Sequence, residues 1–169
     1  ILLLSKKARR KVNNNNSKIG WSLNLNNVNK YMKMWKSWHP HGPTTSPISI
    51  FLALEKSIDN IIEEKIEKRF NRHLKIKKYV RKKIRSFGLK LFIENDEYAS
   101  SALTTFILPK KIKLSDFVKK MDKDYNIVIS GDLGYVDRHL VRIAHMGNSA
   151  NISYVNKTLN AIHRIINFK

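Results

Sequence analysis

From Phe51 to Ile84 apolar side chains return every three or four positions, through Leu54, Ile58, Ile61, Ile62, Ile66, Phe70, Leu74 and Val80. That spacing is one face of an α-helix, and it continues well past the usual length of a globular helix. Ser46 and Pro47 ahead of the run supply an N-cap and a first-turn proline, and Gly88 supplies a C-terminal stop. The run therefore predicts two consecutive helices with a break between Lys65 and Asn71.

The flanking segments read as a mixture of helix and strand. Ile1 to Leu4 is a short apolar run, followed by the basic Lys6 to Lys11 and the tract Asn13 to Asn16; together they suggest a strand, a helix start and a polar loop. Trp21 to Leu25 alternates apolar and polar residues and predicts a strand. Prolines, a glycine and two histidines between Trp35 and Pro47 give a stiff, non-helical loop. After Gly88, the runs Leu89 to Ile93 and Ala102 to Leu108 predict a hairpin or adjacent strand pair across the polar Glu94 to Ser101. Ser115 and Asp116 predict a capped helix through Met121, Ile127 to Ile129 a strand, Ser130 to Gly134 a turn, and Leu140 to Met146 a strand. Ile152, Val155, Leu159, Ile162 and Ile166 at steps of three and four give a terminal amphipathic helix capped by Asn151 or Ser153. The class is α+β.

Charge and composition bound the function. Lys and Arg number 33 against 13 acidic residues, a net charge of +20. Such a balance points to nucleic acid or an anionic membrane, but the cations are spread along the chain and Asn, Lys and Ile are abundant together, as in a genome drifting toward A and T. There is no cysteine, which removes disulfides and thiolate metal sites and permits a reducing, cytoplasmic compartment. The four apolar residues at the start are too few for a signal or membrane segment, and the chain reads as soluble. It opens at Ile1 rather than Met, which suggests a piece of a longer protein, a processed chain or an open-ended reading frame.

Few residues announce chemistry. His39 and His41 stand two apart without a third ligand at a recognisable offset, so no metal site is expected. Glu63, Glu64 and Glu67 share the long helical run with Lys65, Lys68 and Arg69, the pattern of a solvated face. Arg142 is different. Within Leu140-Val141-Arg142-Ile143-Ala144 its charge either finds an anionic partner or faces water from a half-exposed strand. A guanidinium can hold a carboxylate by two parallel hydrogen bonds.

The segment from Leu140 to Gly147, followed by Ala150 and a terminal helix, resembles the RIGHMG…A signature that closes the class V, fold-type I aminotransferases. Ile127 to Gly134 is similar to that family's I-x-G-G-L-G turn, with Ser130 and Asp132 in place of smaller residues. His41 to Pro47 leading into Leu52-Ala53-Leu54-Glu55 is similar to its H-T-x-P…Y-A-L-x-E helix entry, and Phe87-Gly88 with Leu89 to Phe92 to its LG-L-x-LF strand. Ile1 to Ala8 resembles the L-x-x-x-S-x-K/R-A stretch shortly after the lysine that carries pyridoxal phosphate (PLP). Four segments and the opening stretch, in family order, cover nearly the whole chain.

The resemblance implies the C-terminal part of an alanine/serine–glyoxylate or serine–pyruvate aminotransferase, a PLP-dependent transferase fold. Residues 1–46 would be the end of the large PLP-binding domain, 47–88 a long helical connection, and 89–169 a C-terminal small domain with a mainly antiparallel sheet. It further implies PLP as cofactor, a PLP lysine ahead of Ile1 so that the chain alone is inactive, a homodimer, amino-acid and 2-oxo-acid substrates, Arg142 as the clamp on the substrate α-carboxylate, and Thr45 as a contact to the PLP phosphate of the neighbouring subunit. From the residues alone, Thr45 is equally a helix-entry cap, and His145 and Met146 are packing residues. Two further readings stand beside this one. A basic nucleic-acid-binding module would lay the Lys65 to Arg85 helix along phosphates through Lys75, Lys77, Lys78, Arg81, Lys82, Lys83 and Arg85. An inactive aminotransferase remnant would account for the departures at Gly42, Ser130 and Asp132.

Overall fold

A computed structural model describes residues 2–15, 20–35, 44–131 and 139–167. The chain divides into two compact units, Ile1–Asp59 and Asn60–Lys169. In the first, α1 (Lys6–Asn13) begins where the Ser5 hydroxyl accepts a hydrogen bond from the Ala8 amide. A single 3₁₀ turn, Trp21–Leu23, leads into α2 (Leu25–Met34), whose Asn24 cap accepts from the Asn26 amide at 2.9 Å. The strand expected over Trp21 to Leu25 is therefore a turn and a helix start. Five alternating residues are too weak a signal against an Asn cap. The turn also brings Trp21 edge-on to Tyr31 at 5.5 Å, and Tyr31 edge-on to Trp35 at 5.0 Å. Residues 2–5 form no strand either.

Helix α3 (Ile48–Glu64) starts one residue beyond Pro47, whose carbonyl accepts from the Ile50 and Phe51 amides. It ends at Lys65, where φ is 68°, and α4 (Ile66–Ser86) follows at once. The expected break thus falls at the first residue of its window. Helix α4 ends as Gly88 turns to φ 73° and the Leu89 amide reaches back to the Ile84 carbonyl.

In the second unit, β1 (Leu103–Ile107) and β2 (Leu140–Ala144) pair antiparallel, with Thr105 opposite Arg142 and Phe106 opposite Val141. Each outer edge carries one isolated bridge, Leu91 to Phe106 and Ser130 to Arg142. The runs expected as strands at Leu89 to Ile93 and Ile127 to Ile129 are reduced to these bridges. On the first of them Arg81 takes the Ile93 and Glu94 carbonyls at 2.7 and 3.0 Å, which draws the backbone out of the ladder. Helix α5 (Leu114–Tyr125) runs past Met121 to a left-handed Asn126, because Phe117 and Met121 are both buried on one face. Its cap is Lys113, not Ser115. Helix α6 (Ile152–Asn167) follows, with Asn151 accepting from the Ser153 amide.

The core lies between the sheet and α4, α5 and α6. Val80 and Ile84 meet Phe106, Val141, Ile143, Phe117, Met121, Leu159 and Ile162 in one buried cluster. The α+β class is as expected. Truncating Phe106 to Ala should cost about 3–5 kcal/mol, the usual loss for a buried aromatic. Gly88→Ala should cost about 1 kcal/mol, since a Cβ there meets nothing and only the left-handed backbone is penalised. Urea unfolding midpoints check both values.

Candidate functional site

Alternation along β2 separates two roles. Val141 and Ile143 face the helices, as does His145 beyond the strand end, while Arg142 and Ala144 face the other way. Arg142 is half-buried. Its amide donates to the Ser130 carbonyl at 2.8 Å, and its Nε donates to the Gly131 carbonyl, also at 2.8 Å. Among the described residues, no carboxylate lies within ion-pair distance of it. With Nε used, the two terminal nitrogens make no hydrogen bond among the described residues, and their parallel N–H bonds match the two oxygens of a carboxylate.

His145 is fully buried, with Nε2 2.8 Å from the Thr104 hydroxyl and its amide donating to Ala102. Burial pushes its pKa below the ordinary histidine value, so the ring is held neutral. It serves packing and register, as its sequence context suggested.

Thr45 lies in the non-helical stretch before α3, exposed, with no hydrogen bond to it among the described residues. It belongs to the first unit and Arg142 to the second. His39, His41, Gly42 and the Asp132 to Gly134 part of the expected turn lie outside the described residues. No group of three or more metal-capable side chains occurs among the described residues, and none of their helices is long and apolar enough to cross a membrane.

Polar groups to which the sequence pattern gave a different role, or none, surround the start and middle of α4. Glu64 does not sit on a solvated face. Arg72 grips its two oxygens through Nε at 2.5 Å and Nη2 at 2.9 Å, and Arg69 adds a third contact at 2.9 Å. The Arg72 guanidinium, then Arg69, hold the Glu64 carboxyl at about 2, well below the usual 4.5. Farther along, Lys77 donates to the Asp96 and Ala99 carbonyls at 2.6 Å, and Arg81 to Asp96 Oδ1 at 2.6 Å. Both side chains are buried, so two of the seven cations assigned to a nucleic-acid face are structural. Asp96, hydrogen-bonded first by Arg85 and then by Arg81, has its pKa lowered. The only sequence hint was the i, i+4 spacing of Lys77, Arg81 and Arg85 on one helical face.

No family model matches the chain. Solved structures share its fold: an alanine–glyoxylate aminotransferase from Nostoc sp. superposes with a TM-score of 0.84 at 22% identity over 96% of this chain and 42% of its own. A pyridoxamine–pyruvate aminotransferase from Mesorhizobium loti does so with 0.84 at 25% identity, over 97% and 41%. Among curated relatives, an uncharacterized aminotransferase of Methanocaldococcus jannaschii is 30% identical over 146 residues, 86% of this chain and 37% of its own length. The serine–glyoxylate aminotransferase of Arabidopsis thaliana is 30% identical over 71% of this chain and 30% of its own.

The chain belongs to the class V aminotransferase family.

It spans about a third of the length of the curated relatives it matches, and corresponds to the C-terminal part of this aminotransferase family. Nothing in these relationships supports the nucleic-acid reading. The Glu64 fork has a pH signature. A carboxyl whose folded pKa is depressed contributes its full stability above the unfolded value of 4.5 and loses it as pH falls toward 2. Unfolding midpoints measured between pH 5 and pH 2 (roughly the window set by that depression) should fall less steeply in Glu64→Gln than in the parent.

Proposed function

We propose that this chain is the C-terminal part of a PLP-dependent transaminase that moves an amino group from alanine or serine to a 2-oxo acid such as glyoxylate or pyruvate. The observation that carries the reading is Arg142. Its backbone is anchored to Ser130 and its Nε to Gly131, and its two terminal nitrogens, without a partner among the described residues, suit an incoming carboxylate. Holding the α-carboxylate there fixes the rotation of an amino acid about its Cα, which is what selective cleavage at Cα requires.

The residues present are compatible with PLP. The exposed Thr45 hydroxyl, in the non-helical entry to α3, is free to donate to a phosphate oxygen of a neighbouring subunit's cofactor. When bound, PLP supplies the electron sink for bonds broken at Cα. This chain supplies orientation and charge. The reading assigns the lysine that carries PLP to another part of the full protein.

In the same reading, residues 1–46 close the large domain, 47–88 connect, and 89–169 form the small domain. The helix entry at Pro47 and the helix end at Gly88 support that division. The apolar side chains of α3, including Ile50, Phe51, Leu52 and Ile62, are exposed. They suit burial in a homodimer completed by the rest of the protein. The lack of cysteine suits a reducing, cytoplasmic setting.

The test is made on the longer protein that joins this chain to its PLP-binding domain. Arg142→Ala should raise KM for the amino donor by ~10²-fold, the loss expected for about 2–3 kcal/mol of charge-assisted hydrogen bonding. Arg142→Lys should recover only part of it, having no fork. An unchanged KM in both variants would remove Arg142 from the substrate site.

A further inference from the structure

We infer that Glu64, Arg72 and His73 are positioning residues for Arg142, acting through the backbone of Gly147. This rests on the reading of Arg142 as the carboxylate clamp. Arg72 faces two ways. Through Nε and Nη2 it holds both oxygens of Glu64, and through Nη1 it donates to the carbonyls of Gly147 at 2.9 Å and Ala150 at 2.7 Å. His73, the next residue, takes the other polar group of Gly147: the Gly147 amide donates to Nε2 at 3.1 Å. A backbone amide can only donate, so Nε2 is the acceptor and the ring proton sits on Nδ1, donating to the Arg69 carbonyl at 2.8 Å. Both the N–H and the C=O of Gly147 are thereby held by α4.

Gly147 has φ 55°, a conformation that a side chain would strain. It comes directly after the stretch that leaves β2; between it and Arg142 the backbone is held by the β1 ladder as far as Ala144 and by the His145 amide on Ala102, so Gly147 is where the hold passes from the sheet to α4. The two ends of the Arg142 segment thus have different anchors. The Ser130–Gly131 carbonyls hold it at one side, and the Arg72–His73 pair fixes its continuation.

Cohesion alone does not call for this arrangement, because an apolar pair of similar volume would join α4 to the turn with less desolvation. A guanidinium bound to two carboxylate oxygens and two carbonyls adds direction. A two-point carboxylate clamp needs that direction, since a displacement of about 0.5 Å spoils bidentate geometry. Glu64 enters because it orients the plane of Arg72.

Two kinds of measurement separate this from simple structural support. In the longer protein, Glu64→Gln and Arg72→Met should each raise KM for the amino donor ~10-fold while kcat changes less than ~3-fold, effects of the size expected when a supporting residue is lost. Their combination should fall short of additive, as members of one network do. Arg72→Lys should not rescue, because one ammonium cannot reach all four acceptors. In the chain itself, the Gly147 amide should exchange slowly and lose that protection in His73→Ala, and ¹⁵N shifts of His73 should show the Nδ1–H tautomer. If Arg142→Ala raises KM but Glu64→Gln and Arg72→Met do not, the positioning role is wrong and the clamp stands. If Arg142→Ala leaves KM unmoved, the clamp falls and the positioning role falls with it, whatever the exchange data show. Glu64→Gln alters no volume, so it keeps the comparison sound should Arg72→Met fail to fold.

Discussion

The second unit is organised by a single helix face. Ile76, Val80 and Ile84 of α4 are buried against the sheet and α6, and the cations Lys77 and Arg81 are buried beside them. Apolar burial of this kind is worth about 25 cal/mol per Å², and it fixes α4 against β1. The charges then have no water to turn to. Carbonyl oxygens of residues 93, 94, 96 and 99 and the Asp96 carboxylate solvate them instead, and in doing so they shape the segment between α4 and β1. A long, polar, irregular stretch is ordered by two side chains from the neighbouring helix rather than by a ladder of its own.

The same logic reappears at the start of α4. Lys65 breaks the helix at a positive φ, Glu64 is left at the end of α3, and Arg72 two turns on bends back to it. In a chain carrying +20, the carboxylates held by two arginines among the described residues sit where backbone must be directed: Glu64 at the helix break and Asp96 in the loop. The excess of Lys and Arg is thus partly structural and partly solvated, and net charge says little about which.

Much of the sheet was legible from sequence because its signal is local. Both Leu103–Ile107 and Leu140–Ala144 lie within apolar, β-branched runs, although the residues buried are Thr104 and Phe106 in the first and Leu140, Val141 and Ile143 in the second. The helices α4 and α6 were legible for the same reason. What misled was equally local. The alternation at Trp21 to Leu25 lost to an Asn cap, and the apolar run at Leu89 to Ile93 lost its ladder to Arg81, a residue eight or more positions away on another element.

By itself the sequence determined the helical periodicity, the break near Lys65, the stop at Gly88, and the position of Arg142 within an apolar strand, all properties carried by neighbouring residues. Identical periodicity had two fates: the stripe on α4 from Ile76 onward is buried, while that of α3 is exposed. Only tertiary structure decided this, because burial depends on what an element packs against and not on its own pattern. It also decided that Glu64 meets Arg72, that Arg72 meets Gly147 seventy-five positions away, and that Arg142 spends its Nε on the Gly131 carbonyl. Contacts across such separations are set by the packing of α4 against the sheet, which no local spacing records.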